Sequence, residues 1–233
     1  MKSLRLFHLL FTLLLIPSSS LLAQYDGPDI QLRFRALALN YPLNSGVYME
    51  AQGGTRLNIY SNSRTDWVNY KGTNPITFYK EVKQGDTPSV RIPIASFDAV
   101  QAPENPLLIF SKADAKDPNY RVNAVNDSVE SSPAGSYRIF NFTEKQIGGV
   151  IDDQRFLLSP KSTAYAQVKN PKDFEVTVQL AESEKGQAKR LYASSWTFSE
   201  DFRYLVFILP SDDPTRGNIE IRLIPDLVNS SSN

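Results

Sequence analysis

Cysteine is absent from the 233-residue chain, and histidine occurs only once, at His8. Residues 1–23 have the layout of a secretory signal peptide: a short basic start, an apolar run from Leu6 to Ile16, and the small residue Ala23 at a cleavage point. Cleavage there removes His8, so we expect a mature protein with neither residue type. The expected destination is the periplasm, the cell envelope or the exterior.

These two absences exclude most of the common active sites. Without histidine or cysteine, a mature chain has no Ser-His-Asp or Cys-His nucleophile, no thiolate or histidine zinc site, and no disulfide. A lipid-anchored cysteine after the signal is excluded for the same reason. Phosphate-binding and nucleophile-elbow motifs are also absent. The sequence therefore indicates no cofactor and no enzyme of these classes.

The charge balance gives no reason to expect a nucleic-acid partner. The chain has 25 basic and 25 acidic residues, and removal of the leader takes away two bases and no acids, which leaves a net charge of about −2. The longest later run of aliphatic and aromatic residues, Leu205 to Leu209, is too short to span a bilayer. We expect no transmembrane segment after signal removal. An uncleaved anchor is the alternative, because Leu21 and Leu22 extend the leader's apolar stretch.

The rest of the chain alternates between apolar and polar residues with the two-residue period of half-buried strands. Examples are 30–39, 76–82, 90–94, 174–180 and 219–223. Pro93 suggests an edge position for the third of these segments. Two runs, Leu107 to Phe110 and Leu205 to Leu209, are apolar on both faces and predict central strands. Turn clusters follow one another too closely for crossover helices, so we predict an all-β fold of sandwich type.

The two halves of the chain resemble each other, which predicts two tandem sandwich modules. The segment from Pro106 to Asp127 and the segment from Tyr204 to Asp226 each contain an apolar run, an acidic Asp-Pro turn and an alternating strand. The predicted equivalent positions are Leu108 with Leu205, Phe110 with Phe207, Val122 with Ile221, and the openings at Gly46 and Gly135. Chance similarity between two apolar hairpins is the alternative. The predicted divisions are a signal (1–23), module 1 (24–127), a linker (128–133), module 2 (134–228) and a disordered tail (229–233).

The segment Pro133-Ala134-Gly135-Ser136-Tyr137 resembles the P-A-G-x-Y strand opening of immunoglobulin-like and prealbumin-like β-sandwich modules. The whole chain is similar to small exported bacterial proteins that carry such modules. The resemblance implies a sandwich fold and, by analogy, a role in binding or assembly. It implies no catalytic residues.

Acidic side chains offer two further candidate sites. An acid-only glycan hydrolase needs two carboxylates facing each other across a groove, and four glutamates fall on predicted strands: Glu50, Glu81, Glu175 and Glu220. All four lie on the polar side of their alternation, which favours solvated surfaces. Calcium would need a loop rich in oxygen ligands, and two turns offer some: Asp114, Asp117 and Asn119, and then Asp212, Asp213 and Asn218. The same residues are typical of tight turns, which is the interpretation we favour.

Trp67 and Tyr70 lie in a polar, turn-rich stretch and are the candidate contacts for a protein partner or a glycan. Burial of Trp67 beneath a loop is the competing interpretation, while Trp196 is expected in a core. Taken together, the sequence predicts an exported, non-catalytic binding or assembly protein of the cell envelope or exterior. The alternative is a carbohydrate-active enzyme with an acid-only site.

Overall fold

A computed structural model describes residues 28–50, 54–83, 85, 88–112, 116–169, 171–184, 187–211, 213, 215 and 217–228. The predicted signal (1–23) and tail (229–233) lie outside the described residues, as do Asp114 and Asp212 of the two acidic turns. Within the described ranges the helical segments are two three-residue 3-10 turns, Ala99–Gln101 and Lys172–Phe174. No helix there has the length and hydropathy that a membrane crossing requires.

The all-β prediction is confirmed. The first eight strands are β1 (Asp29–Ala38), β2 (Leu43–Met49), β3 (Thr55–Ile59), β4 (Val68–Thr73), β5 (Ile76–Val82), β6 (Val90–Phe97), β7 (Pro106–Ser111) and β8 (Arg121–Asn126). The next eight are β9 (Ser136–Asn141), β10 (Ile147–Ile151), β11 (Gln154–Leu158), β12 (Thr163–Gln167), β13 (Glu175–Glu184), β14 (Gln187–Thr197), β15 (Phe202–Pro210) and β16 (Ile219–Leu227).

The strands form two sandwiches whose connectivity is identical. The sheets of module 1 have the orders β4-β1-β7-β8 and β3-β2-β5-β6, and those of module 2 have the orders β12-β9-β15-β16 and β11-β10-β13-β14. Each strand of module 2 therefore repeats the position of the strand eight places before it. One pairing per module is parallel, β1 with β7 and β9 with β15. In the immunoglobulin constant order the first two strands share a sheet, whereas here they lie in different sheets.

Each module has its own core, built by the inward side of the alternation. In module 1 the side chains of Phe34, Leu108 and Phe110 are fully buried between the two sheets. In module 2 the corresponding space contains Tyr137, Val206 and other buried apolar residues, including Trp196 as expected. The edge position expected from Pro93 is also found, since β6 is the last strand in the order of its sheet and pairs with β5.

A third core joins the modules. It contains the outward-facing residues of the two sheets that include the parallel pairs: Leu37, Leu39, Leu107, Ile109, Phe140, Leu205, Phe207, Leu209 and Ile224. The phenyl ring of Phe207 lies against those of Phe140 and Phe142, with centroids 5.3 and 5.9 Å apart. This packing explains why the runs in β7 and β15 are apolar on both sides. One face of each strand belongs to its own sandwich and the other to the neighbouring module.

Two details of the predicted internal match are wrong. Leu108 and Phe110 face the core of module 1, but Leu205 and Phe207 face the other module, so that alignment is one residue out of register. Because side chains alternate between faces, a shift of one residue exchanges the two faces. The openings also do not correspond, since Gly46 lies within β2 whereas Gly135 directly precedes β9. Val122 and Ile221 do pack against their respective cores, as expected.

Candidate functional site

The two aromatic residues singled out from the sequence have different environments. Tyr70 is 3% exposed within the core of module 1, where its hydroxyl donates a hydrogen bond to the carbonyl of Thr73 at 2.7 Å. Its ring is therefore not accessible to a ligand in this structure. The indole ring of Trp67 is half-buried beneath the guanidinium groups of Arg33 and Arg35, which lie 4.5 and 5.0 Å from the ring centroid. Trp67 thus supports an arginine at the junction of the modules.

The four candidate glutamates are all exposed and are distributed over both modules. Glu81 and Glu220 form ion pairs with Arg91 and Arg222, and Glu175 accepts a hydrogen bond from the hydroxyl of Ser195 at 2.9 Å. In the acidic turns, the carboxylates of Asp117 and Asp213 accept hydrogen bonds from backbone N–H groups two residues later. No cluster of three or more acidic, histidine or cysteine side chains able to hold a metal ion occurs in the described part of the chain.

A buried cluster of five charged side chains lies where the modules meet. Asp127, 2% exposed, accepts hydrogen bonds from Arg35 and from Arg64, whose Nε lies 3.2 Å from its carboxylate. Asp226 accepts from Arg35 at 2.9 Å and from Arg203 at 2.8 Å. The side chains of Arg64 and Arg203 are each only 3% exposed. Residues of both modules thus share one charge network.

The electrostatics of this cluster follow from its burial. Burial alone would raise the pKa of Asp226, but hydrogen bonds and charges from Arg35, Arg64 and Arg203 outweigh it, so the pKa lies below its ordinary value. Burial lowers the pKa of Arg64, and its Nη1 makes no hydrogen bond to any described residue, although it lies 3.8 Å from Asp226 Oδ1. Buried ion networks add little net stability, but removal of one member is strongly destabilising. The cluster therefore fixes the relative position of the modules.

The segment predicted to be a linker belongs to the same junction. Arg203 Nη1 donates hydrogen bonds to the carbonyls of Ser128 at 2.9 Å and Ser132 at 3.3 Å. Ser132 is 2% exposed, and its hydroxyl lies 3.0 Å from that of Ser136 at the start of β9. Residues 128–133 are consequently tied to module 2 by hydrogen bonds along their length. The modules are held as one unit.

The junction has two related seams, because each module presents the same sheet to the other. We call the contact of β1 with β16 the first seam and the contact of β8 with β9 the second seam. In the first, Arg35 pairs with Asp226, and Arg222 donates a hydrogen bond to the carbonyl of Leu39. In the second, Arg138 donates to the carbonyl of Asn126. Such reciprocal contacts are typical of two-fold interfaces.

The strand registers identify the counterparts in the two seams. Arg35 pairs with Leu107 across β1 and β7, and Arg138 pairs with Leu205 across β9 and β15. Leu107 pairs with Val125, and Leu205 pairs with Ile224. These registers place four further pairs of residues at equivalent positions in the two modules. With the residue of module 1 first, they are Ser111 and Leu209, Arg121 and Glu220, Asn123 and Arg222, and Asp127 and Asp226.

The second seam contains an open cleft of about 440 Å³. Apolar side chains from both modules form its floor: Ile109, Val125, Phe140 and Phe142. Its walls and rim are polar and consist of Ser111, Arg121, Asn123, Asn141, Lys161, Ser162 and Thr163. This size lies within the usual range of small-molecule sites, which combine an apolar lining with a few polar groups.

The wall of the cleft that comes from module 2 is rigidly built. Asn141 is 1% exposed, and its side-chain amide donates to the carbonyls of Lys145 at 2.7 Å and Ser159 at 3.1 Å. Its backbone exchanges hydrogen bonds with the turn 159–162, accepting from Lys161 N and donating to the carbonyl of Ser162, both at 3.0 Å. Lys161 is held in the left-handed region at φ 59°. The turn thus presents Lys161 at the rim in a defined place.

No protein-family model matches the chain, and no curated protein matches it. The geometry of the chain itself therefore carries the functional argument. The cleft could not be found from the sequence, because its floor combines residues of β7 and β8 of module 1 with residues of and directly after β9 of module 2. The sequence feature that could have indicated the junction was the pair of runs that are apolar on both faces. An apolar face on the outside of a sandwich must be covered by another part of the protein.

A second depression of about 500 Å³ lies at one end of module 1. Asp29 and Glu50 line it together with Lys71 and Arg91, and its remaining lining residues are Met49, Gly54, Gly72 and Thr73. The carboxylates are thus mixed with cations, and none of the described lining residues is aromatic. These features are typical of a solvated polar surface.

Proposed function

We propose that the chain is an exported, non-catalytic binding protein of the cell envelope or exterior, and that the cleft in the second seam is its binding site. The observation that carries the proposal is the cleft itself, an apolar floor open to solvent and lined by side chains of both modules. The signal-like leader and the resemblance to exported bacterial sandwich modules support the location. The missing catalytic residue types support a role in binding.

The structure of the junction supports a preformed site. The buried charge cluster and the third core hold β7 and β8 of module 1 against β9 of module 2. A site that is already in its binding geometry loses less conformational freedom when a ligand binds.

Comparison of the two seams also supports a binding site at the cleft. Leu209 and Arg222 fill the first seam, whereas the smaller Ser111 and Asn123 leave the second open.

The test is recovery of the natural ligand from protein that is exported with its own leader. Wild-type protein and the variant Asn123→Arg, which places the first-seam side chain in the cleft, are purified without denaturation from the envelope and the medium. Small molecules and proteins that copurify are identified by mass spectrometry. The matched control is Asn58→Arg, because Asn58 is likewise an exposed asparagine on an edge strand, β3.

A compound or protein recovered with the wild type and with Asn58→Arg, but lost with Asn123→Arg, supports the proposal. Identical recovery with all three proteins overturns the cleft as the site. Urea denaturation of each variant checks that the fold is intact. If protein collected from the medium or envelope begins at Met1, the expected signal cleavage is wrong.

The alternative is an acid-only carbohydrate-active enzyme, for which Asp29 and Glu50 in the second depression are the pair to test. Hydrolysis of envelope polysaccharides by the wild type, lost in Asp29→Asn and Glu50→Gln, would establish it. We favour the binding role, because the described lining of the depression offers no aromatic ring on which a sugar could stack, and its two acids are accompanied by Lys71 and Arg91.

A further inference from the structure

We propose that the cleft takes an amphipathic carboxylate, a molecule with one acidic head and an apolar body; this inference rests on the proposed function. The floor supports the apolar body. Ile109 and Phe140 are 1% and 5% exposed at the bottom of the cleft, and the half-buried Val125 and Phe142 complete it. The parts of Val125 and Phe142 that are still exposed gain free energy when a ligand removes them from water.

The rim supports an anionic head. Arg121 and Lys161 both line the cleft, one from each module, and none of the described lining residues is acidic. Among the described residues, Arg121 forms no ion pair, and Lys161 pairs with Glu144 alone, at 3.2 Å, where both side chains are more than 70% exposed. An exposed pair of that kind is weak. A carboxylate that enters the cleft can therefore compete for Lys161 and take Arg121 as a new partner.

The first seam shows that this charge pattern is particular to the cleft. The counterpart of Arg121 is Glu220, whose carboxylate already lies 2.7 Å from Arg222. Arg222 in turn donates to the carbonyl of Leu39, so the first seam satisfies its own charges. In the second seam the acid is replaced by Arg121 and the arginine by Asn123. The cleft thus has an excess of positive charge and neutral donors around an apolar floor, which complements an acid with an apolar tail.

The test compares two probes that differ only in the head group: dansyl-undecanoic acid and its neutral methyl ester. Their dansyl fluorescence is titrated with the full mature chain. We expect the acid to bind at least about fivefold more tightly than the ester, the ratio that about 1 kcal/mol of favourable charge interaction provides. Arg121→Gln should remove most of this preference, because it weakens binding of the acid more than binding of the ester. The control Arg155→Gln alters an exposed arginine of β11, remote from the cleft lining, and should change neither affinity.

A second variant separates the failure of this inference from the failure of the proposed function. Ser111→Leu introduces the larger first-seam side chain without a change in charge, so it should weaken both probes by at least about tenfold. If it does so while the acid and the ester bind equally and Arg121→Gln has no effect, the cleft stands as the site but the carboxylate inference is overturned. If Ser111→Leu affects neither probe, the probes bind elsewhere and both proposals fail at this cleft. If neither probe binds, the amphipathic carboxylate is wrong, and ligand recovery with Asn123→Arg still tests the cleft.

Discussion

Replacement of Asp127 by asparagine should destabilise both modules together. Its carboxylate is 2% exposed and accepts hydrogen bonds from Arg35 and Arg64, with Arg203 3.5 Å away. Asp127→Asn keeps the shape but leaves these three guanidinium groups with Asp226 as the only acid in the cluster. Loss of one member of a buried ion network costs about 3–5 kcal/mol. That is a large part of the 5–15 kcal/mol that holds an ordinary protein folded.

The two tryptophans make the assay specific for each module. Trp67 lies in module 1 and Trp196 in module 2, so Trp67→Phe and Trp196→Phe give proteins whose fluorescence reports one module each. In urea, Asp127→Asn should lower both transitions by the same amount, because the cluster joins the modules. The control is Glu81→Gln, which breaks an exposed pair with Arg91 and should cost less than about 1 kcal/mol. If Asp127→Asn costs no more than Glu81→Gln, or lowers only the module 1 transition, the cluster does not hold the modules together.

Three further predictions concern stability at acid pH, core packing and backbone conformation. The pKa of Asp226 in the folded protein lies below its ordinary value of 3.8, so the charged carboxylate stabilises the protein above that pH, and this contribution is lost as the pH falls through the folded pKa. Asp226→Asn should therefore reduce the fall of the urea midpoint at acid pH. Phe110→Ala and Phe207→Ala should each cost about 3–5 kcal/mol, but only Phe207→Ala should speed hydrogen exchange in the seam strands of both modules. Gly135→Ala should lower stability by about 1 kcal/mol, since Gly135 has φ +74°. Gly148→Ala should lower the melting temperature less, because the added Cβ would lie 3.9 Å from its nearest described neighbours.

Local pattern was enough to predict the strands but not their assembly. The alternation from Ile76 to Val82 coincides with β5, and that from Val90 to Ile94 lies within the edge strand β6. Alternation reports which side chains are buried, and does not report what buries them. The one-residue error in the predicted match at Phe207 follows directly, because both faces of β15 are apolar and either one satisfies the pattern.

The charged junction shows a different limit. The sequence places Asp127 and Asp226 at matching strand ends, but their partners are distant in sequence; Arg35 is 92 residues from Asp127 and 191 from Asp226. No local rule pairs such residues. Tyr70, by contrast, could have been assigned to the core, since it follows Val68 by two residues and a strand puts both on one face.

Substitution of Ser111 tests whether the cleft in the second seam is a functional site or a packing defect. The first seam demonstrates that this junction can be filled, since Leu209 there is 8% exposed in the third core. If the cleft is only a flaw in packing, then Ser111→Leu should fill it at no functional cost. If the cleft is kept for a ligand, the same substitution should stabilise the empty protein by about 0.5–2 kcal/mol, as cavity filling commonly does, while it abolishes ligand recovery. Urea denaturation and ligand recovery on one batch of the variant decide between these cases. A variant that is destabilised would show that Ser111 is required by local packing, and the comparison of the two seams would then lose its force as an argument for function.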